Sequence, residues 1–176
     1  MREKIKEKQD LREIIGDLKA KGKRIVFTNG CFDLLHIGHV RYLEKAKSLG
    51  DILVVGVNSD LSVRGLKGPR RPILPEGERT EILSGLQCVD YVILFDEPTP
   101  LDLISSLRPH LLVKGGDWPK EAIVGTEIVE GSGGEVVVIP FVEGASTSNL
   151  IDTILKRFPK NAETSDKTVQ HTGNSE

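Results

Sequence analysis

The chain is poor in the residues that mark secreted and membrane proteins. Of 176 residues only two are cysteines, Cys31 and Cys88, and they form no CxxC pair. That spacing offers no disulfide framework and indicates no structural zinc, and it fits a reducing compartment. No apolar run approaches the roughly 20 residues a membrane helix needs. The opening MREKIKEKQDLREIIGDLKAKGKR is too charged for a signal peptide, so a cytoplasmic protein is expected. There is no excess of one charge either: 24 Lys and Arg against 26 Asp and Glu leave a net charge of -2. No global field draws the chain to nucleic acid or to an anionic membrane, and any anion it binds must be held locally. Histidine is equally scarce, yet two of the four stand three residues apart in TNGCFDLLHIGH, residues 28–39.

What is present is a regular alternation. RIVFT (24–28), DILVVGV (51–57), DYVILF (90–95), HLLVK (110–114) and EVVVIP (135–140) are short, apolar and rich in β-branched residues, as strands buried on both faces are. Helical spacing lies between them, at 38–49, 76–87, 99–107, about 119–131 and 147–157, with a leading amphipathic helix within 1–23. This pattern predicts an α/β domain over 24–158, a doubly wound, five-stranded parallel sheet. From Pro159 onward apolar periodicity ends, and residues 159–176 are expected to be a disordered tail. The length suits one domain with its own core.

In such a sheet ligands bind beyond the carboxyl ends of the strands, where the strand order reverses. The segments in those positions carry the chemistry. If a helix starts near Ile37, His36 and His39 lie on neighbouring faces at i and i+3 and can both reach one bound group. The free N–H groups of that helix end favour an anion, and Gly30 and Gly38 let a phosphate approach the backbone. A structural role for the two rings, or a zinc site completed by Cys31 and Asp33, stays open at this point, although the spacing matches none of the usual zinc patterns. After the second strand, NSDLSVRGLKGPRRP brings Asn58, Asp60, Lys67, Arg70 and Arg71 onto a glycine- and proline-rich loop. A turn explains Asn58 and Asp60 almost as well as an acceptor pocket, and the basic residues can be a solvated charge run. Arg79 is either a phosphate ligand or the partner of Glu76 or Glu81. After the fourth strand, LVKGGDWP offers Lys114, bare backbone at Gly115 and Gly116, Asp117 for ribose hydroxyls, and the one tryptophan, Trp118, as a flat surface or a core anchor. Ser146, Thr147 and Ser148 precede the last helix, where at least one should be its N-cap.

GCFDLLHIGH resembles the G-x-F-D-x-x-H-x-G-H signature of the nucleotidyltransferase superfamily, which includes cytidylyltransferases and pantetheine-phosphate adenylyltransferase. More narrowly, the run from Arg24 to about Leu155, with VNSD, LKG, LVKGGDW, GGEVVVIPF and STSN, is similar to the heptose-1-phosphate nucleotidyltransferase domain of bacterial ADP-heptose synthases. The resemblance implies a Rossmann-like fold and in-line attack of a sugar-phosphate oxygen on the α-phosphorus of ATP, with Mg2+ accompanying the nucleotide. It implies catalytic roles for His36, His39 and Lys67, and nucleotide contacts from Asn29, Gly30, Cys31, Phe32, Gly38, Arg79, Lys114, Gly115, Gly116, Asp117, Trp118, Ser146, Thr147 and Ser148. It also implies acceptor contacts from Asp33, Asn58, Asp60, Arg70 and Arg71. The bifunctional relatives carry a sugar-kinase domain first, for which this sequence has no segment, so a stand-alone transferase is expected, as a possible homodimer. Two other readings compete. Glycerol-phosphate cytidylyltransferases carry R-T-E-G-I-S-T where this chain has Phe141 and Val142 before Glu143 and Gly144, a departure that weakens the cytidylyl reading. A nucleotide-sensing module without turnover is the non-enzyme alternative, and the retained histidines and Lys67 give it no support.

Overall fold

A computed structural model describes residues 2–116 and 118–159. All five expected strands form: Ile25–Gly30 (β1), Ile52–Asn58 (β2), Tyr91–Phe95 (β3), Leu111–Gly115 (β4) and Glu135–Ile139 (β5). They make one all-parallel sheet in the order β3-β2-β1-β4-β5. Seven α-helices are described: Lys8–Ala20 (α1), Ile37–Lys47 (α2), Asp60–Lys67 (α3), Glu76–Ser84 (α4), Leu101–Leu107 (α5), Thr126–Gly131 (α6) and Thr147–Arg157 (α7).

Strand alternation divides the core in two. Ile25, Phe27, Val54 and Leu112 point to one face, where Leu11 and Ile15 of α1, Ile104 of α5 and Val129 of α6 cover them. Val26, Leu53, Val55, Leu111 and Val113 point to the other, beneath Leu43 and Ala46 of α2 and Leu83 of α4. Because both faces are covered, the strands are apolar throughout and not alternating. The segment before β1 shares this core: Leu11 is fully buried, and the Lys6 N–H donates to the Val92 carbonyl at 2.9 Å along the outer edge of β3.

Two local expectations fail for physical reasons. The helix expected over 119–131 is a short 3-10 turn, Lys120–Ala122, followed by α6. Gly125 separates them at φ +94, and a Cβ there would lie 2.6 Å from Ile104 Cδ1, so the chain presses against α5 where a continuing helix would clash. The loop expected after β2 instead begins with α3. Ser59 caps it by accepting the Ser62 N–H, and Val63 anchors it in the core. The tail expected from Pro159 lies, apart from that residue, outside the described residues.

β1 sits between β2 and β4, so the connection from β1 leaves toward one side of the sheet and the later strands are added on the other. That reversal opens a crevice at the carboxyl ends of β1 and β4. Tyr42 of α2 spans it from below: its hydroxyl meets Thr28 Oγ1 of β1 at 2.6 Å and donates to the Val113 carbonyl of β4 at 3.1 Å. Burial pushes the phenol up to about 12, with the Thr28 hydrogen bond opposing. It stays neutral and ties the middle of α2 to β1 and β4.

Candidate active site

The chain leaves β1 through a sharp turn. Phe32 adopts φ 46, a left-handed conformation uncommon for a side-chain-bearing residue. Its ring then sits edge-on to His39, centroids 5.4 Å apart. His36 is the N-cap residue of α2, still extended at φ -136, and its carbonyl accepts the His39 N–H at 2.9 Å. This one turn of chain brings the two imidazoles face to face, with centroids 3.9 Å apart and planes 23° from parallel. Gly38 makes room, since a Cβ there would lie 2.9 Å from His36 Nδ1 and 3.1 Å from the Ala145 methyl.

Both Nδ1 atoms are buried and have no hydrogen-bond partner among the described residues. A buried polar atom left unpaired costs about 1–3 kcal/mol, so the pair makes this turn the first candidate for contact with a bound group. Burial lowers the His39 pKa to about 4, with the neighbouring His36 adding to the shift and a Leu34 carbonyl opposing it. Burial lowers His36 as well. Near neutral pH both rings are uncharged, so each offers one N–H donor and one lone pair. Among the described residues no cluster of three or more His, Cys, Asp or Glu is placed to hold a metal ion, so the zinc alternative gains no ligand set.

Lys114 leaves the end of β4 and points across the crevice, its Nζ 3.4 Å from Asn29 Oδ1 at the end of β1. Burial holds its pKa below the usual ammonium range; an anion bound beside it would reverse that shift. On the far side of the histidines, the N-terminus of α7 closes a groove of about 670 Å³ whose walls include His36, Arg41, Ser146 and Asn149. Ser146 is the N-cap, accepting the Asn149 N–H at 3.0 Å. Thr147 Oγ1 lies 3.5 Å from the Leu34 carbonyl, and Ser148 is exposed.

Several of the polar residues expected to meet substrate bond within the protein. Asp33, almost fully buried, accepts from Arg71 Nε, from the Ile73 N–H at 2.7 Å and from the Leu74 N–H at 3.0 Å. Arg79 is neither a free phosphate ligand nor a surface partner of Glu76 or Glu81. Its side chain is 0% exposed, and it donates to Asp60 Oδ1 at 2.8 Å, the Cys31 carbonyl at 2.6 Å and the Leu74 carbonyl at 3.1 Å. Asn58 is buried and donates to Ser62 Oγ at 3.0 Å, while the Asp60 N–H goes to Glu76 Oε2 at 2.7 Å. Asp33, Asn58, Asp60 and Arg79 therefore brace α3 and the 71–74 turn against the motif. Lys67, the exposed last residue of α3, and Arg70, exposed on the following turn, have no side-chain partner among the described residues. Burial raises the Cys31 thiol, while Lys67, Arg79 and Arg71 pull it down; these three cations converge on the motif.

At the end of β4, Gly116 takes φ +118, and a Cβ on it would lie 2.9 Å from Phe141 Cε2 and 3.2 Å from Trp118 Cδ1. A Cβ on Gly115 would meet Phe141 Cε1 at 3.2 Å. Phe141 thus lies against the two glycines although 71% of it is exposed, and Trp118 is 55% exposed, which rules out the core-anchor reading of the tryptophan. Asp117 lies outside the described residues. Reading the sequence finds the glycines and the tryptophan but misses Phe141 and Arg41. The one available signal was an apolar ring directly after Pro140, where the chain leaves β5.

A parallel α/β sheet with paired imidazoles at a helix N-terminus, and with Lys67 and Lys114 at the ends of α3 and β4, offers the donors of a phosphate-binding class of α/β protein. Comparison with known proteins agrees with that class. Residues 27–160 match the cytidylyltransferase-like family, and the chain belongs to it. It is 57% identical over 155 residues to the bifunctional protein HldE of Pelobacter propionicus and 59% identical over 155 residues to that of Geobacter metallireducens, in each case 88% of this chain and 32% of the relative. The chain spans about a third of the length of these curated relatives. Among solved structures it is similar to a lipopolysaccharide core biosynthesis protein of Thermoplasma volcanium, with 30% identity and a TM-score of 0.57 over 70% of this chain and all of that one.

Proposed function

We propose that the protein is a nucleotidyltransferase that transfers AMP from ATP to a sugar 1-phosphate, D-glycero-D-manno-heptose 1-phosphate, releasing pyrophosphate and giving an ADP-sugar for surface glycan synthesis. The observation that carries this reading is the stacked pair His36 and His39, two neutral imidazoles with unpaired buried nitrogens at the start of α2. In-line attack on the α-phosphorus needs no enzyme nucleophile. It needs the two reactants aligned and donors fixed where charge grows on a five-coordinate phosphorus. The similarity to the HldE proteins and to a lipopolysaccharide core biosynthesis protein supports the choice of acceptor.

In this account Lys114 and the N-terminus of α7, with Ser146, Thr147 and Ser148, bind the triphosphate tail. Lys67, on the end of a helix followed by Gly68 at φ +91, swings onto the phosphates. Asp33, Asn58, Asp60 and Arg79 set the position of that helix from within the protein. A Mg2+ ion would accompany the nucleotide and screen its triphosphate charge; among the described residues no cluster of three or more His, Cys, Asp or Glu would hold it, so it would rely on the nucleotide itself. The reaction belongs in the cytoplasm, which the two free cysteines fit; among the described residues no helix is long and apolar enough to cross a membrane. The test is pyrophosphate release from ATP or CTP with a panel of sugar and alcohol phosphates. ATP with heptose 1-phosphate should be the best pair, and equal or better turnover of CTP with glycerol 3-phosphate would replace this reading with the cytidylyl one.

A further inference from the structure

Phe141 has a strong physical motive to meet a ligand. It lies on the bare backbone of Gly115 and Gly116, yet 71% of it faces solvent. The apolar face left in water loses about 25 cal/mol for each Å² that remains uncovered. Trp118 approaches the same glycine and is also mostly exposed. Two aromatic rings therefore flank one residue whose side chain is a hydrogen atom, at the carboxyl end of β4 and next to the crevice that holds Lys114 and Asn29. A side chain at either glycine would displace Phe141, because its Cβ would lie between 2.9 and 3.2 Å from the ring.

Resting on the nucleotidyltransferase reading, we propose that Phe141 determines base choice: held against Gly115 and Gly116 by one face, it offers its exposed face, beside Trp118, as a stacking platform for a purine. Phenylalanine has no donor or acceptor with which to read a base edge, so it selects by area. A purine bicycle covers more of the exposed ring than a single pyrimidine ring does, and stacking depends on that overlap. Lys114, the residue before Gly115 within β4, then lies on the phosphate side of the platform.

The test uses the full chain with ATP, GTP and CTP, and measures binding by calorimetry. Because Trp118 is the only tryptophan, its fluorescence gives a second, independent reading. Wild type should bind both purine nucleotides at least tenfold more tightly than CTP. Phe141→Ala should lose about tenfold to a hundredfold in ATP affinity, as loss of one base–aromatic stack does, and only a few-fold for CTP. Phe141→Trp should retain the purine preference, and Phe141→Leu should lose it. Each variant should melt as wild type does, since the ring is mostly exposed. A purine-to-pyrimidine ratio that survives Phe141→Ala and Phe141→Leu in a protein that binds nucleotide would overturn this inference alone. Failure of the wild type to bind any of the three would overturn the nucleotidyltransferase reading along with it.

Discussion

Arg79→Ala separates two accounts of a residue that chemistry alone would assign to phosphate. In the structure its guanidinium is fully buried and serves three acceptors: the Asp60 carboxylate, whose side chain is only 23% exposed, and the carbonyls of Cys31 and Leu74. Truncation leaves a carboxylate mostly shielded from water without its cation, and two carbonyls without donors. Removing one member of a buried pair typically costs about 3–5 kcal/mol. In a chain of this size each kcal/mol lowers the melting midpoint by about 2–4 °C, so a fall of roughly 10 °C is expected, with urea midpoints moving in parallel. Arg79→Lys should recover part of the loss, because an ammonium can pair with Asp60 but cannot serve all three acceptors in one plane. A double-mutant cycle with Asp60→Asn should show strong coupling. An Arg79→Ala protein with a wild-type midpoint and a large loss of ATP affinity would refute the reasoning and restore the arginine to the phosphate site.

Three further outcomes follow from the same geometry. Lys67→Ala removes an exposed side chain at the end of α3, so turnover should fall by about tenfold or more while the midpoint moves by no more than a degree or two, measured on one preparation; an unchanged rate at saturating substrate would make Lys67 a bystander. Gly38→Ala places a methyl 2.9 Å from His36 Nδ1 at a helical position where alanine is otherwise favourable by up to about 1 kcal/mol. Turnover should therefore drop with little loss of stability, and a fully active variant would show that the stack of His36 on His39 does not matter. The folded-state pKa of His39 is depressed to about 4, so between there and its ordinary value near 6.5 the unfolded chain binds the extra proton. Stability should fall as pH drops through that window. An NMR titration that places His39 at or above 6.5 without ligand would contradict this.

The strands were legible because a sheet covered on both faces writes itself as short apolar runs, and the glycines and histidines after β1 marked the site because such residues have little reason to cluster otherwise. Long-range pairings were not legible. Nothing in GERTE reveals that Arg79 reaches Asp60 and the Cys31 carbonyl, since a buried arginine and a phosphate-binding one carry the same letter. Helix α3 was hidden because its glycine and basic residues read as a loop, while the features that hold it, the Ser59 cap and the buried Ser62 and Val63, are local and small. Gly125 did stand in the sequence as a warning against one helix over 119–131, but its effect depends on the approach to Ile104, which only the fold supplies. Phe141 was noted as a departure from a pattern; its place on Gly115 and Gly116 needed the meeting of β4 and β5.

The central claim is that His36 and His39 donate to charge that develops only as the α-phosphorus becomes five-coordinate, and His39→Ala tests it most directly. Turnover, nucleotide affinity and melting midpoint should be measured on that one protein. Loss of a transition-state donor of this kind costs about a hundredfold or more in rate, so turnover should fall by that much, while nucleotide affinity changes by no more than a few-fold and the midpoint stays close to wild type. Near-normal turnover with a large loss of stability would mean that the ring is a packing residue and would contradict the account.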